Sequence, residues 1–287
     1  MSVVTAMNAM KARILSVGLT APGLVDFETL TQMALAGQTP DTSAALVKYS
    51  PLFLPANERR RTTPTIKLAL KTAEDALIQY HQAWSNADSI TDLALPVLFV
   101  SKDGDTFISA RMCQAVSEAE PMISPTQFHN AVHNAPAGYW MIGQQNQAPA
   151  SAISVGDYAI ANGLLEAILQ SQRYAKPVLM VVYDLPLDEL MPVSEAQKSQ
   201  LPFAFSMVLD ANVLAPEAER GCPQLSLYIT PQASPTPVVK GHNPYAGVPA
   251  AEAYPLLRAI ALFEREAELF EMHFPLNRNN SIKVSLE

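Results

Sequence analysis

A chain of 287 residues with 49% hydrophobic and 16% charged residues is long enough to bury a sizeable core, in one large domain or two small ones. Its formal net charge of −8 argues against a general nucleic-acid-binding surface, and no apolar run approaches the roughly 20 residues of a membrane span. The two cysteines, Cys113 and Cys222, suit a reducing compartment better than a disulfide framework, and no secretory signal is evident, so we expect a cytoplasmic protein.

Apolar runs of strand length alternate with amphipathic segments along the chain, which is typical of an α/β fold. We predict strands at 13–19, 95–100, 150–154, 178–183, 203–209, 225–229 and 282–286. We predict helices at 26–36, 64–84, 107–119, 125–140, 157–173 and 248–270, the second capped by Thr62 or Thr63, the fourth interrupted by Pro136 and the last by Pro255. Residues 37–57 read as loop, and residues 215–222 as loop or one helical turn.

The stretch SAISVGDYAIANGLLEAIL, residues 151–169, has the pattern of a strand, a tight corner and a helix. In one large group of enzymes such a corner carries a nucleophile, but here it offers Gly156 and Asp157 and neither serine nor cysteine. An ionised aspartate at this place would cap the helix by accepting from its free N–H groups, worth about 1 kcal/mol. We therefore predict that Asp157 is a structural N-cap.

Residues 124–184, SPTQFHNAVHNAPAGYWMIGQQNQAPASAISVGDYAIANGLLEAILQSQRYAKPVLMVVYD, resemble the core of a β-ketoacyl synthase. Gly138 stands for the glycine of the approach helix, residues 148–150 stand for the Gly-Pro-Ser strand, and residues 178–182 stand for the strand after the long helix. More weakly, ILSVGLTAPG resembles the first strand of that family and ERRRTTPTIKLALKTAEDAL resembles the helix after its first loop.

The resemblance places the catalytic cysteine of the family at Asp157. Counting without gaps from Pro149 and from Val178 gives this same position, whereas one gap would give Ala159 or Ile160. None of the three residues can form the acyl thioester through which a condensing enzyme works.

The resemblance implies a thiolase-like layered α/β fold (αβαβα) in which the C-terminal half is shortened. On this interpretation residues 1–287 are one domain, in which residues 12–210 are the recognisable N-terminal ketosynthase half and residues 211–287 are the truncated remainder. These last residues are expected to close the core with a helix and an edge strand.

Catalytic members of the family also need two histidines, one of them in a His-Gly-Thr-Gly-Thr motif that this sequence lacks. His242, in KGHNPYAGVPAAEA, loosely resembles the second, but a histidine on a surface loop is the interpretation we favour. A ketosynthase-like chain without its cysteine resembles the chain-length factors of type II polyketide synthases, most of all those that make aryl polyenes.

That resemblance implies a non-catalytic subunit in a heterodimer with an active β-ketoacyl-ACP synthase, served by an acyl carrier protein and needing no cofactor. An ionised aspartate would also repel a malonyl carboxylate, which disfavours decarboxylation by this chain. Two alternatives stay open. One is an active condensing or acyl-transfer enzyme acylated at Asp157, Cys113 or Cys222, and the other is a scaffold protein that keeps the fold alone.

Several side chains are candidates for shaping an acyl tunnel or a subunit interface, with ordinary core packing as the alternative: Phe107, Ile108, Met112, Phe128, His129, Val132 and His133. His129 and His133 are spaced to share one helix face, as a zinc-binding pair would be, but no third ligand stands at a suitable spacing, so no metal site is predicted. The basic residues 59–61, with Lys67 and Lys71, are either a docking site for an acidic carrier protein or a solvated helix start.

Overall fold

The computed structural model describes residues 9–120, 122–190, 201–212, 222–231, 242–263 and 270–287. Its strands are β1 (Met10–Thr20), β2 (Val97–Val100), β3 (Ala150–Ile153), β4 (Val178–Asp184), β5 (Phe203–Asp210), β6 (Gln224–Thr230), β7 (Phe270–Pro275) and β8 (Ser281–Leu286). Its helices are α1 (Phe27–Leu35), α2 (Ala56–Arg61), α3 (Pro64–Trp84), α4 (Thr106–Ser117), α5 (Pro125–Asn130), α6 (Ala135–Gly143), α7 (Ala159–Tyr174) and α8 (Tyr254–Leu262). Short 3-10 helices occupy Ile90–Asp92, Gly156–Tyr158 and Pro249–Ala253.

The strands of the described residues form one eight-stranded sheet in the order β3-β2-β4-β5-β1-β6-β8-β7. Strand β2 is parallel to β3 and to β4, and the remaining pairs are antiparallel. The carboxyl ends of β2, β3 and β4 therefore meet at one edge of the sheet, where α/β proteins commonly place their functional residues.

Helices pack on both faces of the sheet and divide the core into two clusters. Helix α3 packs against β1, β4 and β5, and with α6 it covers the face that carries Phe99 and Val181. Helix α7 covers the other face and contacts both β4 and β7. Because β4 and β7 are far apart in the strand order, the sheet curves around α7. The predicted layered α/β architecture is confirmed.

Two predicted helix starts are confirmed by their capping bonds. The N–H of Thr29 donates to Asp26 Oδ1 at 2.8 Å, so Asp26 caps α1. The N–H of Ile66 donates to Thr63 Oγ1 at 3.2 Å, and Pro64 occupies the first position of α3. Each bond satisfies an N–H group that the helix itself leaves without a partner, so the local sequence fixes both starts.

Some predicted elements are wrong at their ends. The helix predicted over 125–140 is two helices, α5 and α6, separated by a turn, and α2 begins inside the stretch predicted as loop. Helix α8 ends at Leu262, and Phe270 begins β7, which the sequence prediction missed. The final strand, β8, lies between β6 and β7 and is not an edge. The loop predicted at 215–222 lies, apart from Cys222, outside the described residues.

Candidate functional site

The corner between β3 and α7 has the predicted form. Strand β3 ends at Ile153, and Gly156 turns the chain with a φ of 58°, a value that glycine adopts without strain. The 3-10 turn Gly156–Tyr158 follows, and α7 begins at Ala159. Asp157 lies within this turn with 74% of its side chain exposed.

Asp157 binds a lysine and does not cap α7. Its Oδ1 lies 2.6 Å from Lys102 Nζ, whereas the residue preceding α7, Tyr158, makes no side-chain capping bond. The N-cap prediction is therefore wrong. The 3-10 turn displaces Asp157 from the helix start, and an ammonium group is a stronger partner for a carboxylate than neutral N–H groups are.

Lys102 is fixed by its backbone as well as by its side chain. Its N–H donates to Asp184 Oδ1 at 2.9 Å, and its carbonyl accepts from Ser154 Oγ at 2.7 Å. The Ser101 hydroxyl also donates to Asp184 Oδ1, at 3.2 Å. Lys102 therefore ties the end of β2 to the end of β4 and to both sides of the corner.

Four carboxyl groups interact electrostatically with the ammonium group of Lys102: those of Asp103, Asp157, Asp184 and Glu252. Burial raises the pKa of Asp184 to about 7, although bonds from Lys102 and Ser101 oppose the rise. Burial raises the pKa of Asp103. Partial burial of the Glu252 carboxyl group, together with the charge of Asp157, raises the pKa of Glu252. Burial disfavours the charged form of Lys102, but the bond and charge of Asp157 outweigh it and raise the pKa of the lysine.

His133 supports the corner from the neighbouring turn. Its Nε2–H donates to the Ile153 carbonyl at 2.9 Å, at the last residue of β3. A side chain at Gly104, which has a φ of 67°, would come 3.2 Å from His133 Nδ1, so the β2–α4 loop packs closely on this ring. His133 is thus placed at the site, in a role that the sequence did not indicate.

His129 does not share a helix face with His133, because α5 ends at Asn130 and His133 follows in a turn. Its ring instead packs edge-on against Tyr139, with centroids 6.1 Å apart. Across the described ranges, no group of three histidine, cysteine or acidic side chains could hold a metal ion.

The apolar candidates divide into core and surface. Ile108 is only 7% exposed and belongs to the interior, and Met112 is half-buried, whereas Phe107 and Phe128 are 40% and 61% exposed. Exposed apolar side chains lie on α4, on α5 and in their adjoining turns, and we refer to them together as the α4–α5 surface: Phe107, Val116, Ile123, Phe128 and Val132. Helices α4 and α5 contact each other.

The remaining candidates lie apart from the Lys102–Asp157 pair. Cys113 is exposed on α4 and Cys222 is half-buried before β6; both are free thiols. His242 is exposed in a loop, which agrees with the favoured interpretation. Of the basic cluster, Lys71 is already paired with Asp75 within α3.

The sequence analysis missed Lys102, Asp103, Asp184 and Glu252. A signal existed for three of them, because polar residues that directly follow buried parallel strands meet at one edge of the sheet. Glu252 reaches the site from the distant 3-10 helix Pro249–Ala253, and no local pattern in the sequence marks it.

Comparisons with known proteins agree with this geometry. A family model described as "Beta-ketoacyl synthase, N-terminal domain" matches residues 34–234, more than two thirds of the chain. No curated protein sequence matches significantly. The described part of the chain contains no helix that is long and apolar enough to cross a membrane.

Solved structures resemble the whole chain. A complex titled as the ketosynthase ApeO with its chain length factor ApeC, from Xenorhabdus doucetiae, matches with a TM-score of 0.67 and 19% identity over 96% of this chain and 99% of that one. The ishigamide ketosynthase/chain length factor matches with a TM-score of 0.65 and 11% identity over 96% and 99%.

A third structure, the AntDE:AntF complex of a type II acyl-carrier protein with its ketosynthase, matches with a TM-score of 0.68 and 13% identity over 97% of this chain and 99% of that one. Identities this low establish the fold alone. The thiolase-like fold is confirmed.

Proposed function

The chain belongs to the β-ketoacyl synthase family, and from that premise we propose that it is a non-catalytic chain-length factor. It forms a heterodimer with an active β-ketoacyl-ACP synthase and shapes the acyl tunnel in type II polyketide biosynthesis, with an aryl polyene as the product class. The observation that carries the proposal is a nucleophile corner kept in shape, with Asp157 at its centre bound to Lys102.

The chemistry of the corner supports a non-catalytic role. A carboxylate in an ion pair cannot form the thioester on which acyl transfer depends. The neighbouring carboxyl groups of Asp103, Asp184 and Glu252 make the surroundings of Lys102 acidic, so a malonyl carboxylate would be repelled. Condensation and decarboxylation are therefore assigned to the partner.

The surface beside the corner supports pairing. The α4–α5 surface is apolar and exposed, and among the described strands β3 lies at an edge of the sheet with one side unpaired. Exposed apolar patches and open strand edges of this kind are usually covered by a partner. We propose that a ketosynthase subunit covers both, in a dimer with approximate two-fold symmetry.

The acyl carrier protein is proposed to dock on the complex, with Arg59, Arg60 and Arg61 of α2 as the basic candidates on this chain. The domain boundary near residue 210, the absence of a cofactor and the cytoplasmic location stay predictions.

The test is co-expression with the ketosynthase encoded nearest to this chain, followed by acyl carrier protein loaded with acyl groups and intact mass spectrometry under native and denaturing conditions. We expect a one-to-one complex with the acyl adduct on the partner alone. A C113S variant of this chain is the matched control, because it removes the exposed thiol and leaves the corner unchanged.

An adduct on this chain that persists in C113S would overturn the proposal in favour of an acyl-transfer enzyme. A stable homodimer that ignores every ketosynthase would favour a scaffold protein that keeps the fold alone.

A further inference from the structure

The Lys102–Asp157 ion pair is held more firmly than an ordinary surface pair. The lysine side chain is 24% exposed, and both backbone polar groups of Lys102 are bonded, to Asp184 and to Ser154. Asp184 is itself only 4% exposed. The ammonium therefore has a fixed position, which an isolated pair of flexible side chains at a protein surface would lack.

Three segments around the pair contribute carboxyl groups. Asp103 comes from the β2–α4 loop, Asp184 from the end of β4, and Glu252 from the 3-10 helix Pro249–Ala253. The bond and charge of Asp157, with smaller contributions from Asp103 and Asp184, raise the pKa of Lys102 despite its partial burial. The corner is consequently a charged feature in a position where the family carries an uncharged thiol group or its thiolate.

The charged corner adjoins the apolar surface. Phe107 lies in the first turn of α4, a short distance along the chain after Lys102, and Val132 precedes His133, which bonds the last residue of β3. An apolar chain lying along the α4–α5 surface would meet the ion pair at this point. To advance farther, the acyl chain would have to displace water from both charged groups without giving them a new partner, which is unfavourable.

We infer that the Lys102–Asp157 ion pair is a chain-length determinant, a charged wall at which an apolar acyl chain held by the partner stops growing. The inference rests on the proposed function and deepens it. It assigns the stop to charge at the corner, whereas from the sequence we named apolar side chains such as Phe107 and Met112 only as candidates for shaping the tunnel.

The experiment measures the product length distribution of the reconstituted heterodimer by mass spectrometry, with loaded acyl carrier protein as substrate. The variant K102M/D157L removes both charges and keeps comparable bulk. We expect the fraction of products longer than the wild-type maximum to rise about tenfold, which corresponds to about 1.4 kcal/mol. The charge-conserving variant K102R/D157E retains both charges in their native places, and we expect it to keep the wild-type distribution.

The matched control is K283M/E271L, which removes an ion pair of similar exposure, 30% and 43%, on the strands β7 and β8. It should leave the distribution unchanged. Where K102M/D157L fails to form the heterodimer, K102Q/D157N carries the same test with side chains closer to the native shapes.

An unchanged distribution in an intact neutral variant would overturn the inference and leave the proposed function standing. Lengthening in the charge-conserving variant K102R/D157E would also overturn it, because shape and not charge would then be the cause. Failure of the proposed function is visible earlier, since the wild-type chain would then form no heterodimer or would itself be acylated.

Discussion

Helices α3 and α7 both lie against the central strands of the sheet, but their amino-terminal ends are built differently. Helix α3 begins with Thr63 bonded to the N–H of Ile66 and with Pro64 in its first turn. Helix α7 begins after a 3-10 turn with no side-chain cap, and the carboxylate available for capping is bound to Lys102. The start of α3 is therefore determined by residues next to it in the sequence, whereas the start of α7 is determined by Lys102, which follows the distant strand β2.

The largest expected effect is the loss of the acceptor that organises the α7 corner. Asp184→Ala leaves the Lys102 N–H and the Ser101 hydroxyl without their partner in a buried place, so we expect the free energy of unfolding to fall by about 3 kcal/mol. Urea unfolding followed by circular dichroism measures it. A loss no greater than that of an exposed substitution would show that Asp184 does not hold the corner.

The protonation of Asp184 should make stability depend on pH. Its pKa is raised from the ordinary value of 3.8 to about 7 in the folded state, so folding takes up a proton between these values. This contribution to stability is fully present below about pH 4 and is lost as the pH rises toward 7, at up to about 1.4 kcal/mol per pH unit.

Asp184→Asn keeps an acceptor oxygen and removes the titration, so it is the control for this pH dependence. Melting temperatures of both proteins between pH 5 and 8 should show a decline for wild type that the variant lacks. Parallel curves would contradict the assignment to Asp184.

A smaller effect is expected at the start of α3. Thr63→Ala removes the capping oxygen and should cost about 1 kcal/mol of unfolding free energy, whereas Thr63→Ser keeps the oxygen and should cost far less. Equal losses in the two variants would mean that the methyl group and not the cap matters.

The smallest effect is expected at the start of α7. Asp157→Ala removes an exposed partner of Lys102 and no capping bond, so we expect a loss below about 0.5 kcal/mol. Added salt should reduce this loss further, because it screens exposed charges. A salt-independent loss as large as that of Thr63→Ala would show that Asp157 caps α7 in solution after all, against the geometry.

Much of the fold could be predicted because its signals are local. The apolar runs of β4 and β5 are buried at every position, and strands of this kind can be predicted from the hydrophobicity of the sequence. Strand β7 was missed because Phe263, Ala267 and Phe270 continue a helical spacing and no glycine or proline separates α8 from β7.

The site could be predicted only in part. The corner, its glycine and the place of Asp157 follow from the order of strand, turn and helix. The partner of Asp157 does not, because Lys102 is distant in the chain and reaches the corner through the parallel pairing of β2 with β3.

The sequence by itself determined the alternating α/β pattern, the family resemblance, the corner without a nucleophile and the capped start of α3. All of these depend on residues close together in the chain. Only the tertiary structure decided that Asp157 pairs with Lys102, that Asp184 holds the backbone of Lys102, and that β8 lies inside the sheet. Ion pairs and strand pairs form between groups that are close in space, and the folded sheet brings together positions that are far apart in the sequence.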